Sequence, residues 1–180
     1  MTLKGGVYIL ECIPKKEGMK EGIMLFEFLK MEIPEKVELK FIKSKNHFFD
    51  ELNKNNFGTV HISCHGKYYD ENFCLQTSNG YIYPEEFCGD DHLKGRNVVI
   101  TGCSLGRKSF AGEFLERTGA ESLIAPMNDI DFLDSAMWCV NFYYIILKKD
   151  YTFGNAFDYM KENFYVKGAM QMWENIKVTK

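Results

Sequence analysis

Two side chains in this sequence are placed to do chemistry together, the thiol of Cys103 and the imidazole of His65. Each closes a short apolar run and has glycine beside it: Asn97-Val-Val-Ile-Thr-Gly-Cys-Ser-Leu-Gly106 and Gly58-Thr-Val-His-Ile-Ser-Cys-His-Gly66. An unperturbed thiol, with a pKa of about 8.5, is mostly protonated at neutral pH, so a cysteine nucleophile needs a base or a cation beside it. His65 supplies one. Gly66 adds a second element, because a residue without Cβ lets backbone amides approach a substrate carbonyl and hold the oxyanion formed on attack; the amide of Cys103 would be its partner. The residue types therefore point to acyl transfer through a Cys-His dyad.

The elements that must bring these groups together follow from the pattern of the chain. Val98, Val99 and Ile100 form a β-branched run of the kind that fills a parallel sheet covered on both faces, and Gly102 ends it. Carboxyl ends of such strands face a crevice where ligands bind. The dyad residues are 103 − 65 = 38 positions apart, so they cannot meet locally, but neighbouring parallel strands would bring their carboxyl ends together. Upstream, Val7–Ile13 reads as a strand, Met19–Lys30 as a helix, Val37–Ile42 as an outer strand, and Lys45–Asn53 as a helix capped by Ser44. Phe73–Thr77 and Tyr81–Tyr83 read as a hairpin whose Asn79-Gly80 supplies a type I′ turn. A short helix over Pro84–Cys88 leads toward the Cys103 strand. Beyond it, the pattern predicts a helix through Phe110 and Leu115 ended by Gly119 and a strand at Ser122–Ala125. Helices over 132–149 and 153–164 and a terminal strand at Trp173–Val178 follow. This order predicts one α/β domain over residues 1–180, with a mostly parallel sheet between helices.

In these residues the chain resembles the caspase-like cysteine peptidases, and within them the CHAT domains, with more distant similarity to separase. Val60-His-Ile-Ser-Cys-His65-Gly66 is similar to the family's strand ending in His-Gly. Val98-Val-Ile-Thr-Gly-Cys103-Ser-Leu-Gly106 is similar to its strand ending in the nucleophile. The hairpin around Ser78-Asn79-Gly80, the helix to Gly119, the strand Ala120–Ala125 and the acid-bearing loop Asp129–Asp131 follow in the family's order. The resemblance spans roughly residues 55–165. It implies a caspase-like three-layer αβα sandwich with a small β-hairpin, His65 as general acid/base, Cys103 as nucleophile, and the amides of Gly66 and Cys103 as oxyanion donors. It also implies an anionic pocket at Asp129 and Asp131 receiving a basic P1 residue. Two departures stand out: Asn128 where the family's acid loop commonly has tryptophan, and Thr101-Gly102-Cys103 in place of the caspases' Gln-Ala-Cys. Asp129 and Asp131 also suit the cap of the helix starting near Phe132, and Arg107 with Lys108 offers the opposite polarity.

Composition narrows the alternatives. With 46% hydrophobic and 26% charged residues the chain is an ordinary globular protein, and a net charge of −3 leaves no basic excess for nucleic acid. No long uncharged apolar run predicts a membrane span or signal segment, so the reading is a cytoplasmic protein. The six cysteines are scattered and form no Cys-x-x-Cys pair, which fits reduced thiols. No metal or other cofactor is expected, since His61, Cys64 and His65 alternate sides of one strand and cannot converge on zinc. His61 and Cys64 read as core residues; His47 and His92 have no assigned role. The resulting expectation is a cysteine endopeptidase acting on a protein or peptide substrate, controlled by a separate sensor or regulatory protein, in a setting such as bacterial defence. The competing classes are an inactive caspase-fold interaction module and a flavodoxin-like regulatory domain. The latter would need an acidic phospho-acceptor or phosphate loop where Cys12-Ile-Pro14 stands.

Overall fold

A computed structural model describes residues 4–18, 20–87 and 93–175. Its centre is a six-stranded sheet in the order β2-β1-β3-β7-β8-β9. These strands are β1 (Lys4–Glu11), β2 (Val37–Phe41), β3 (Phe57–Ser63), β7 (Asn97–Ile100), β8 (Ser122–Pro126) and β9 (Met170–Glu174). All pairings are parallel except β8 with β9. The remaining strands, β4 (His65–Tyr69), β5 (Asn72–Thr77) and β6 (Gly80–Ile82), form a small antiparallel sheet of their own.

Period-2 alternation sends each strand's side chains into two separate cores. On one face Leu10, Ile62, Val98, Ile100 and Leu123 pack with Phe48 and Leu52 of α2 (Lys45–Lys54) and Phe110 and Phe114 of α3 (Lys108–Thr118). On the other, Ile9, Val99 and Ile124 meet Leu25 and Leu29 of α1 (Glu21–Glu32), Trp138 and Phe142 of α4 (Phe132–Lys149) and Phe157 of α5 (Phe153–Asn163). The result is the expected αβα sandwich. Ser44 caps α2 by accepting from the His47 amide, and Gly119 ends α3 in the left-handed region at φ 65°.

Three expectations are corrected. The type I′ turn lies at Asp70-Glu71, both at positive φ (53° and 63°), between β4 and β5. In the Ser78-Asn79 turn only the following Gly80 has positive φ, at 119°. That turn is instead tied down by its side chains, Ser78 Oγ donating to Ile42 O and Asn79 Nδ2 to Lys43 O. The segment after Tyr83 is one 3₁₀ turn, Pro84–Glu86, with Cys88 and His92 outside the described residues. The last strand, β9, lies earlier than Trp173–Val178, where it can pair with β8; residues 176–178 are outside the described set.

Candidate active site

β3 and β7 are adjacent and in register, with Ile62 opposite Ile100. The two segments that leave them therefore start side by side. How closely they pack is set by glycine. A Cβ on Gly66 would stand 1.9 Å from Cys103 O and 2.8 Å from both Cys103 C and N. A Cβ on Gly102 would in turn stand 2.9 Å from Gly66 N. Real Cβ atoms do not come so near backbone, so each glycine empties the space the other strand's main chain fills. This contact joins the His65-Gly66 and Cys103 segments directly.

Cys103 and His65 line one small cleft of about 110 Å3, closed by Ile13, Cys64, Thr101 and Ile130 around the sides and by Glu21 and Ser135 below. Cys103 is half-buried. Its thiol points toward Ile130 O at 3.8 Å, and His65 Nε2 lies 2.7 Å from Glu17 Oε2 in the segment after β1. The Cys103 segment is further fixed by backbone bonds. Ser104, at φ 63°, donates its N–H to Asn128 O, and Gly106 donates to Pro126 O.

Beneath the cleft lies a polar network inside the helix-facing core. His61 Nδ1 is 3.2 Å from Tyr143 Oη, and its Nε2 is 3.1 Å from each Glu21 oxygen, with the well-formed hydrogen bond going to Oε2. Thr101 Oγ1 donates to the same Oε2. Burial works to raise the Glu21 carboxyl, but the adjacent His61 and the hydrogen bonds from His61, Thr101 and the weak donor Cys139 outweigh it and hold the group below its usual range. Glu21 Oε1 and Ser135 Oγ are left without a well-formed hydrogen bond at the cleft floor. Among the described residues Glu21, His61 and Cys139 are the group with metal-ligand character, their donor atoms lying within 4.8 Å of one another. A fourth ligand would have to come from the cleft.

The predicted residues thus fall into two sets. His65, Gly66 and Cys103 are brought together. Asp129 and Asp131 are exposed and stand off the cleft, which their loop lines instead with Ile130 and Phe132. Asp131 caps α4, accepting from the Leu133 N–H at 2.8 Å. Cys64, read as a core residue, is buried but also borders the cleft, and burial pushes its thiol well up, so it is an inert neighbour. Sequence reasoning missed Glu17 and Glu21, which sit in and just after a polar turn and carry no local signal of their partners.

No protein-family profile and no curated protein sequence matches the chain. Among solved structures, the Drosophila initiator caspase Dronc superimposes with a TM-score of 0.62 over 94% of this chain and 79% of that one, at 9% identity. The fold is caspase-like. At that identity the likeness establishes architecture alone, and within the caspase-like fold the site rests on its own geometry. No helix among the described residues is long and apolar enough to cross a membrane.

Proposed function

We propose that this caspase-like chain is a cysteine endopeptidase with a Cys103-His65-Glu17 constellation, a relative of the CHAT and separase-like peptidases. The observation that carries the reading is the Gly66–Cys103 backbone contact, which sets an imidazole and a thiol at one cleft with two glycine-lined amides beside them. Glu17, accepting the Nε2 proton of His65, leaves Nδ1 free to take the Cys103 proton and stabilises the imidazolium that results. The thiolate attacks the scissile carbonyl carbon, and the oxyanion turns toward the amides of Gly66 and Cys103. The imidazolium then gives its proton to the departing amine. Water, deprotonated by His65, finally cleaves the thioester. A basic P1 side chain suits the cleft floor, where the Glu21 carboxylate takes the part expected of Asp129 and Asp131. In the state described, thiol and imidazole each bond elsewhere, which supports control by a separate partner, as in a defence or signalling system.

Labelling with a peptidyl electrophile that carries Arg at P1, read by intact mass and peptide mapping, tests this. Modification is expected at Cys103, lost in Cys103→Ala and slowed about 10²–10⁴-fold in His65→Ala, and unchanged in Cys64→Ala. Glu17→Gln should slow labelling and shift its pH profile. Label on another cysteine, or a His65→Ala rate equal to wild type, would overturn the proposal.

A further inference from the structure

A second cleft opens beside the first, where the carboxyl ends of β1 and β2 meet the Ser78-Asn79 turn. It holds about 530 Å3, against 110 Å3 at Cys103, and Ile13 borders both. Its floor is apolar, formed by Ile13, Pro14 and the partly exposed Phe41; its rim carries Lys15, Lys16 and Lys43. In a chain of net charge −3, three lysines around one apolar floor are a local arrangement rather than an overall excess. Among the described residues none of the three is in an ion pair, and Lys15 Nζ lies over the Phe41 ring at 5.8 Å. The acid lining this cleft, Glu11, is buried and committed to the Ile13 amide and Ser63 hydroxyl. Burial raises its carboxyl to about 7, so it does little to offset the rim. The walls are preformed, since the turn is hydrogen-bonded to Ile42 O and Lys43 O.

Position ties this cleft to the chemistry. From β7, which leads into Cys103, the sheet runs through β3, which leads into His65, to β1 and β2. His65 protonates the leaving amine, so the segment after the scissile bond departs on its side. Two to three strand spacings, roughly 10–14 Å, separate Cys103 from the second cleft, which an extended chain covers in about three to four residues. We propose that this cleft is an accessory subsite for an acidic segment of the protein substrate, lying about three to four residues after the cut, with an apolar side chain on Phe41 and carboxylates on the lysine rim. This rests on the peptidase reading.

The test separates the two by measuring binding without turnover. Full-length Cys103→Ala protein is titrated by fluorescence anisotropy against a labelled peptide of sequence Asp-Glu-Phe-Glu-Asp and its counterpart with Gln and Asn at the acidic positions. The acidic peptide is expected to bind about tenfold more tightly, the scale of several exposed ion pairs acting together, and to weaken with added salt. Reversing the rim with Lys15→Glu, Lys16→Glu and Lys43→Glu should abolish the preference, while the melting temperature of these exposed-site variants reports an intact fold. With active protein, the same reversal should raise KM for a substrate bearing the acidic segment and leave kcat unchanged. Equal affinity for the two peptides, equal binding by the reversed rim, or displacement of the peptide by inorganic phosphate at matched charge would each overturn the subsite. Absence of cleavage with intact peptide binding would instead count against the peptidase reading alone.

Discussion

Gly66→Ala tests the contact on which the site depends. The new Cβ would lie 1.9 Å from Cys103 O. An ordinary contact needs about 3.4 Å, so the His65-Gly66 and Cys103 segments must separate by about 1.5 Å. The obstacle is main chain in the turn just after β7, so no side chain can swing aside. Overpacking of this kind costs about 1–3 kcal/mol. For a domain of this size each kcal/mol lowers Tm by about 2–4 °C, giving a fall of roughly 2–12 °C. A displacement of about 1 Å at reacting groups costs on the order of 10²-fold in rate, so electrophile labelling of Cys103 should slow by at least that factor. Gly112→Ala is the matched control. Gly112 is exposed within α3, a Cβ there meets nothing within 4 Å, and the better helix former should stabilise by about 1 kcal/mol. Thermal unfolding and labelling kinetics on both variants decide the matter. A Gly66→Ala protein with wild-type Tm and wild-type labelling would refute the adjacency argument.

Glu11 makes stability depend on pH. Burial raises its folded-state pKa from 4.5 to about 7, so the folded chain binds the extra proton between those values and stability falls as pH rises through them. At 1.36 kcal/mol per unit the full penalty above pH 7 is about 3 kcal/mol. Glu11→Gln should therefore be more stable than wild type at pH 8 and nearly equal at pH 4, read from urea unfolding at both; a gap independent of pH would exclude this cause. Arg96 is buried and donates to Asn55 Oδ1 and Asn55 O at 2.8 and 2.7 Å. Asn55→Ala should lose about 1–3 kcal/mol by leaving a charged donor short of a partner, and an unchanged urea midpoint would contradict it. Profiling P1 with a peptide library should show Arg or Lys preferred, with the preference weakened in Glu21→Gln and kept in Asp129→Ala and in Asp131→Ala; a preference for Asp would reverse the assigned polarity.

The main sheet was readable because its central strands, such as β7 and β8, are buried on both sides. Runs such as Val98-Val99-Ile100 have the composition of a strand covered on both faces, and the helices between them carry apolar residues at helical spacing. β4 escaped because His65–Tyr69 lies outside both cores and is exposed toward its end, so no alternation marks it. The Asp70-Glu71 turn escaped for a related reason: two acids at positive φ are held by strand pairing rather than by a residue preference. At the site, the strand ends of His65 and Cys103 were legible because glycines flag close backbone approach. The acid loop was placed at the correct sheet edge, yet Ile130 and Phe132 face inward and turn the interleaved Asp129 and Asp131 outward. Glu17 and Glu21 meet His65 and His61 across 48 and 40 positions, and an acid in a polar turn gives no sign of a partner that distant.

The segment before β9 sets a timetable for synthesis. Gly168 accepts from the Met127 and Asn128 amides, and Asn128 and Pro126 accept from the Ser104 and Gly106 amides. Trp173 then bonds Gly106 O through its indole. The last of these anchors, Trp173, is made 173 − 103 = 70 positions after Cys103. At roughly 5–20 residues per second on the ribosome, about 4–14 seconds pass between translation of Cys103 and arrival of this last anchor. Until then the Cys103 loop rests on Gly66, Asn128 and Pro126 alone, and its geometry is completed only when the Gly168 and Trp173 contacts form.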